Sequence, residues 1–301
     1  MKMIRPVPIT DAILSSSTAP ETDYAAWNVG TSYTLGQRVI RTSTHRCYEC
    51  LVANTGNAPE SNLTGTTPKW LDIGPTNRWA MFDGVVGTST AIASPLTIVL
   101  TPGRVNALAL LSVEGASLTV TMSSTTGGGT VYSKTLSLLS GVIPFNWFAY
   151  FFNPITRVTD VVLTDLPLYA DCVLTITITD PTIPVKCGVC VVGTSTDIGR
   201  ALYGARLGIV YYSKKDTDAF GNTVVIKRRY SRRMSVSLHI NTTQVDALAS
   251  LLAEYRSTPV VWIAAENKFQ SMIVFGFYKD FEIEISHPEY SACSLTIEGL
   301  T

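Results

Sequence analysis

Apolar and polar residues alternate in short runs along most of this chain, and Gly or Pro interrupts them roughly every ten residues. That rhythm predicts short strands joined by tight turns. Leu96–Leu100, Leu118–Met122 and Val173–Ile178 are the clearest strands. In the last, Leu174, Ile176 and Ile178 fall on one face and Val173, Thr175 and Thr177 on the other. One face is therefore wholly apolar, as a sheet packed on one side requires. The period changes once: Val245, Leu248, Leu251, Leu252 and Tyr255 recur at spacings of three and four, Asn241 can cap, Gln244 completes a capping box, and Pro259 follows. This predicts a single helix over 242–257 in an otherwise mainly β chain.

At 301 residues the chain is long enough for two or three domains. Composition shifts divide it into an N-terminal arm (1–19), a short turn-rich module (20–75), a β-sandwich (76–185) closing in Asp180-Pro-Thr-Ile-Pro184, and a C-terminal β domain with the helix (186–301). No apolar run is long enough to span a membrane as a helix. Met1-Lys-Met-Ile-Arg-Pro-Val-Pro8 places two prolines where the apolar core of an export signal would lie. Six sparse cysteines fit free thiols made in a reducing cytoplasm better than a disulfide scaffold.

Twenty-three basic and 23 acidic residues cancel, so no global field recruits nucleic acid. The zero conceals an uneven distribution. Residues 200–233 hold nine Lys or Arg against Asp216 and Asp218, whereas residues 254–301 hold three basic and seven acidic residues. The cluster Lys227, Arg228, Arg229, Arg232 and Arg233 suits a contact with an acidic face of a neighbouring subunit; phosphate contact is the less favoured alternative. Glu282 and Glu284 share one face of a strand whose other face is Ile283 and Ile285. An acidic solvent face is the common reading of such a pair, and glycosidic hydrolysis the rarer one.

Between residues 26 and 70 stand Trp27, Gly30, Tyr33, Gly36, Val39, Tyr48-Glu-Cys50, Asn54-Thr-Gly56, Pro59 and Trp70. Read physically, this is a three-stranded mini-sheet whose small core is built from aromatics. The pattern resembles the chitin-binding modules of carbohydrate-binding families 5 and 12. In that resemblance sugar-stacking aromatics follow the Tyr of the second strand, where this chain has Leu51-Val-Ala53. Trp27, Tyr33, Tyr48 and Trp70 are therefore expected to be mainly structural, and a glycan site, if built, to use Tyr24, Trp27, Tyr33 or Trp70.

Trp79-Ala-Met-Phe-Asp83 and the runs after it, with the glycine-rich Thr125–Gly129, resemble the galactose-binding-like jelly rolls of bacteriophage tail proteins. The aromatic run Phe145–Phe152 is expected to be sandwich core with a rim at an interface, a ligand wall being the alternative. The C-terminal order of strands, one helix and strands, closing on Ser294-Leu-Thr-Ile-Glu-Gly-Leu300, resembles tail-tip proteins of long-tailed phages, in which a β-sandwich or split barrel with one helix tiles into rings. The resemblance implies a non-enzymatic virion subunit of a tail tip or baseplate. It would form a trimeric or hexameric ring, be assembled in the bacterial cytoplasm, and contact other tail proteins and host-envelope glycan. A stand-alone carbohydrate-binding protein and a glycan-degrading tail enzyme are the rival readings.

Two Cys-x-x-Cys pairs, Cys47/Cys50 and Cys187/Cys190, match half of a zinc site each, but their separation is far too long for a compact zinc ribbon. The odd spacing in a strand also points Cys47 and Cys50 to opposite faces. Buried thiols are expected there, with no metal and no cofactor. Three histidines in unrelated contexts and no Gly-x-Ser-x-Gly, phosphate-binding loop or His-Glu-x-x-His leave no catalytic motif.

Overall fold

The computed structural model of the chain describes residues 1–124, 127–139, 146–152, 157–217, 220–265, 269–285 and 287–300. Thr125 and Thr126 of the glycine-rich stretch, Phe145 of the aromatic run and Asp218 lie outside these residues. The fold is mainly β, with curled sheets.

Five antiparallel strands form one sheet, in the order Thr130–Ser137, Ser117–Ser124, Cys172–Thr179, Leu96–Leu100 and Leu14–Ser17. The alternation dictates its packing: Leu174, Ile176 and Ile178 are fully buried, as are Leu118, Val120 and Met122 beside them. The threonines of the outer face pair across the strands, Thr97 with Thr177 and Thr119 with Thr135.

A second sheet has ten strands. From one edge it runs Val161–Leu163, Ala107–Leu111, Val189–Asp197, Lys2–Pro6, Val260–Ile263, Ile273–Glu284, Tyr290–Gly299 and Tyr230–Asn241. Arg200–Ala201 and Arg206–Tyr211 both pair with the last of these. Near its first edge this sheet lays Leu108, Leu110, Cys190 and Val192 against the five-stranded sheet. Farther along, the same face carries Met3, Trp262, Val274 and Leu295, covered by Leu248 and Leu252 of the helix. The opposite face holds a third core of Ile4, Ala109, Val191, Val261 and Phe275. Strands buried on both faces need continuous apolar runs; Ala107–Leu111 and Val260–Ile263 have them.

The sheet curls around that third core until its ends meet. Asp160, just before the first edge strand, is 7% exposed. Its Oδ1 accepts from the Ser112 amide at 3.2 Å and its Oδ2 from Arg232 Nη1 at 2.6 Å. Arg232 also donates to the Ile273 carbonyl at 3.2 Å. An ion pair of this kind is held by its extra hydrogen bonds, and removing one partner strands a buried charge.

Several expectations change. Residues 1–19 are no arm: Lys2–Pro6 lies in the middle of the large sheet, and Leu14–Ser17 edges the small one. Residues 76–185 and 186–301 share sheets, since Val185–Cys187 pairs with Thr90–Ile92 and Val189–Asp197 with Ala107–Leu111. Asp180–Pro184, the stretch expected to close the sandwich, is a tight turn. Asp180 is buried and accepts from the Thr182 amide and hydroxyl, the Ile183 amide and Arg157. The Thr182 amide, then its hydroxyl, holds the Asp180 carboxyl below its ordinary range.

The helix begins where the cap predicts, with the Asn241 side chain accepting from the Thr243 amide at 3.0 Å. A 3₁₀ turn over Thr242–Gln244 leads into an α-helix over Val245–Glu254. It stops short of 257 because Ser257 and Thr258 favour non-helical backbone and Pro259 excludes helical backbone from its predecessor. A second, short helix covers Trp147–Phe152, and Trp147, Phe148 and Phe151 are 79%, 70% and 68% exposed. These aromatics are thus outside the sandwich core. Consecutive aromatics have no period of two, so no single strand face can bury them.

Candidate functional site

The basic segment forms a long β-hairpin projecting from the curled sheet. Arg206–Tyr211 pairs with the first half of Tyr230–Asn241, and beyond a break Lys214–Thr217 pairs with Thr223–Ile226. Every residue of the two outer strands is exposed. The sequence explains this. Leu207, Ile209, Val224 and Ile226 alternate with polar or basic neighbours only weakly, so neither face of the hairpin is apolar enough to be drawn into a core. Those four side chains stand in solvent with Tyr211 and Val225.

Five cations on or beside this hairpin, Arg206, Lys215, Lys227, Arg228 and Arg233, are exposed. Among the described residues none of them has a carboxylate within ion-pair distance. The structure separates the five predicted contact residues. Lys227, Arg228 and Arg233 face solvent, Arg232 is committed to Asp160, and the Arg229 guanidinium presses on the backbone at Gly87, where an added Cβ would lie 1.7 Å from Nη1. Arg232 looks like its neighbours in the sequence, and only the curl of the sheet singles it out. Asp160 carries no sequence signal beyond a lone acid before an apolar run.

The acidic counterpart is the far end of Ile273–Glu284. The Val260–Ile263 strand covers only Ile273–Gly276, so beyond Gly276 that edge of the strand has no partner strand among the described residues. Asp280, Glu282 and Glu284 point outward, while Phe281 and Ile283 pack on the helix-covered core, as the alternation predicts. None of the three carboxylates has a cation within ion-pair distance among the described residues. Ile285, next along, is 67% exposed.

The small module is the three-stranded sheet Arg38–Arg41, Arg46–Cys50 and Trp70–Pro75, with the pair Ser32–Tyr33 and Asn54–Thr55 beside it. Tyr33, Val39, Tyr48, Cys50 and Trp70 are its core. Trp70 is fully buried, with Nε1 donating to the Asn57 carbonyl at 3.0 Å and Tyr33 packed edge-on at 5.2 Å. Trp27 is partly buried beneath the Arg41 guanidinium, 4.8 Å from the ring centre. Tyr24 is the most exposed of the four predicted glycan candidates, at 36%. Arg38 sits over its ring and donates to its hydroxyl at 3.1 Å. Tyr24 and Arg38 line an open cleft of about 460 Å³ with Asp23, Cys47, Ile73 and Pro75.

A residue with no sequence signal joins the module to the body. His45 stacks on Trp79 with ring centres 4.1 Å apart. Its Nδ1 donates to Glu21 at 2.9 Å and its Nε2 lies 3.0 Å from the Asp11 carboxylate. Glu21 also accepts from the Thr76 hydroxyl at 3.0 Å. Residues 11–21 and 76–79, far apart in sequence, thus converge on one imidazole.

All six cysteines are buried and unpaired. Cys50 lies in the module core, while Cys47 points away from it, its thiol toward the Pro75 carbonyl. Burial first, then Asp23, Asp72 and Glu21, pushes the Cys47 thiol up to about 11. Burial pushes Cys187 up to about 12, and burial with Cys187 beside it raises Cys190 well above the ordinary range. Such thiols are poor nucleophiles, because the thiolate is the reactive form. Among the described residues no three His, Cys, Asp or Glu side chains are placed to hold a metal ion, and no helix is long and apolar enough to cross a membrane. No protein-family model matches the chain, and no curated protein matches it significantly.

Proposed function

We propose that this chain is a non-enzymatic structural subunit of a bacteriophage tail tip or baseplate, which associates with copies of itself into a ring of three or six. The ring would be assembled in the bacterial cytoplasm and reside in the virion tail among other tail proteins. One observation carries the reading: uncompensated cations on the projecting hairpin and uncompensated carboxylates on the open strand edge occupy separate surfaces of one chain. Unlike faces of this kind support a heterologous interface, which closes into a ring when its rotation allows.

The apolar side chains beside the hairpin cations favour a protein partner over nucleic acid, since phosphate contacts need no apolar surround. His45 supports a fixed pose of the small module on the body, so a ring would present several modules together. Such an array strengthens weak contacts with a fibre or envelope glycan through effective concentration. Tyr33, Tyr48 and Trp70, spent on the module core, support a structural role for most of its aromatics.

Charge reversal tests the reading. Glu282→Lys with Glu284→Lys, or Arg228→Glu with Arg233→Glu, is expected to weaken self-association at least about ten-fold, equivalent to about 1.4 kcal/mol. All four changes in one chain should restore most of it. Association untouched by either pair, or lost in both and not recovered in the combination, would refute the charge pairing.

A further inference from the structure

We infer that the groove at the base of the hairpin receives the acidic strand end of a second copy of this chain, with Ile285 as the apolar contact. The inference rests on the self-association proposed above. The groove, about 340 Å³, is walled by Leu207, Ile209, Tyr230 and Ser271, with Arg232 and Arg233 beside them. Leu207, Ile209 and Tyr230 are all exposed. Arg232 is neutralised by Asp160, which leaves Arg233 as the charge on offer.

The matching part is Glu282-Ile-Glu-Ile285. Ile283 reaches the core of its own chain, but Ile285 projects past it into solvent, directly after Glu284. An apolar side chain preceded by carboxylates complements an apolar trough rimmed by a guanidinium. Burying Ile285 removes its surface from water, while the charges meet at the rim and fix the register.

The two parts cannot meet within one chain. Glu284 stands opposite Ala292, and Ala292 opposite His239. His239 and Arg233 are six positions apart along the same strand, roughly 20 Å at the rise of about 3.3 Å per residue. The occupant is therefore another copy, and each copy keeps one free groove and one free strand end, which is the head-to-tail arrangement of a heterologous interface.

Cross-linking tests this selectively, because every native cysteine is buried. In the double variant Ser271→Cys with Ile285→Cys, a short bis-maleimide should give a ladder of covalent multimers at least ten-fold more abundant than in either single variant. Separately, Ile285→Asp should weaken association at least ten-fold while Ile285→Leu leaves it intact. A double variant that associates by light scattering but cross-links no better than the single variants overturns the groove assignment and leaves self-association standing. A chain that remains monomeric overturns both.

Discussion

Gly193→Ala is expected to cost about 3 kcal/mol or more, the upper end for overpacking a well-filled site. Gly193 lies in the strand that joins the two halves of the ten-stranded sheet, opposite Pro6 on one side and Ala107 on the other. An added Cβ would lie 1.8 Å from the Arg5 carbonyl oxygen and 2.8 Å from its carbon. Those atoms belong to a paired backbone at the centre of a sheet, so they cannot swing aside as a side-chain end would. Relief requires the Lys2–Pro6 strand to move, and that strand also holds the edge of Val260–Ile263. The loss should therefore be felt on both sides of the sheet. Urea unfolding is expected to show a lower midpoint with an unchanged slope. Gly208→Ala, in the hairpin, has nothing within 4 Å of the added Cβ and should change stability by no more than about 0.5 kcal/mol. Equal midpoints for the two variants would contradict the central position of the N-terminal strand.

Trp70→Ala is expected to remove about 3–5 kcal/mol, as for other buried large aromatics cut to Ala, but from the small module alone. Trp70 fills the middle of a core of only five buried side chains. Its loss also leaves the Asn57 carbonyl without the indole donor. The module meets the body through the His45 contacts and the Asn77 amide on the Asp23 carboxylate, and shares no sheet with it, so the body should survive. Hydrogen exchange is the natural readout. Amides of the strands Arg38–Arg41, Arg46–Cys50 and Trp70–Pro75 should lose protection, while those of Cys172–Thr179 and Val189–Asp197 keep theirs. Loss of protection in both regions would mean that module and body unfold as one unit.

What the sequence disclosed followed local periodicity. Val173–Ile178 announced its own buried face, Val245 to Tyr255 its helical stripe, and Glu282 and Glu284 their shared exposure, because each pattern is complete within a few residues. The segregation of basic and acidic surfaces was legible for the same reason. What stayed hidden depends on partners far away in the chain. Nothing in Lys2-Met-Ile-Arg-Pro6 says that it pairs with Val189–Asp197 and Val260–Ile263, so it reads as an arm. His45 reads as an isolated histidine until Asp11, Glu21 and Trp79 surround it. Arg232 reads as one cation among several, and the curl of the sheet alone delivers it to Asp160. The prolines around Asp180 mark an end of the sandwich, and only the structure shows that the hydrogen bonds of one carboxylate make that stretch a fixed turn.

For Trp147, Phe148 and Phe151 the expectation of core failed for a different reason. Hydrophobicity without a period says that a segment is apolar but not which way its side chains face. The short helix over Trp147–Phe152 turns Trp147, Phe148 and Phe151 toward solvent.

The most direct test of self-assembly is the mass of the purified chain in solution, measured by light scattering across concentration and salt. A discrete species of three or six copies is expected at low salt, falling toward one copy as salt screens the charged faces. A mass of one chain at every concentration and every salt would contradict it.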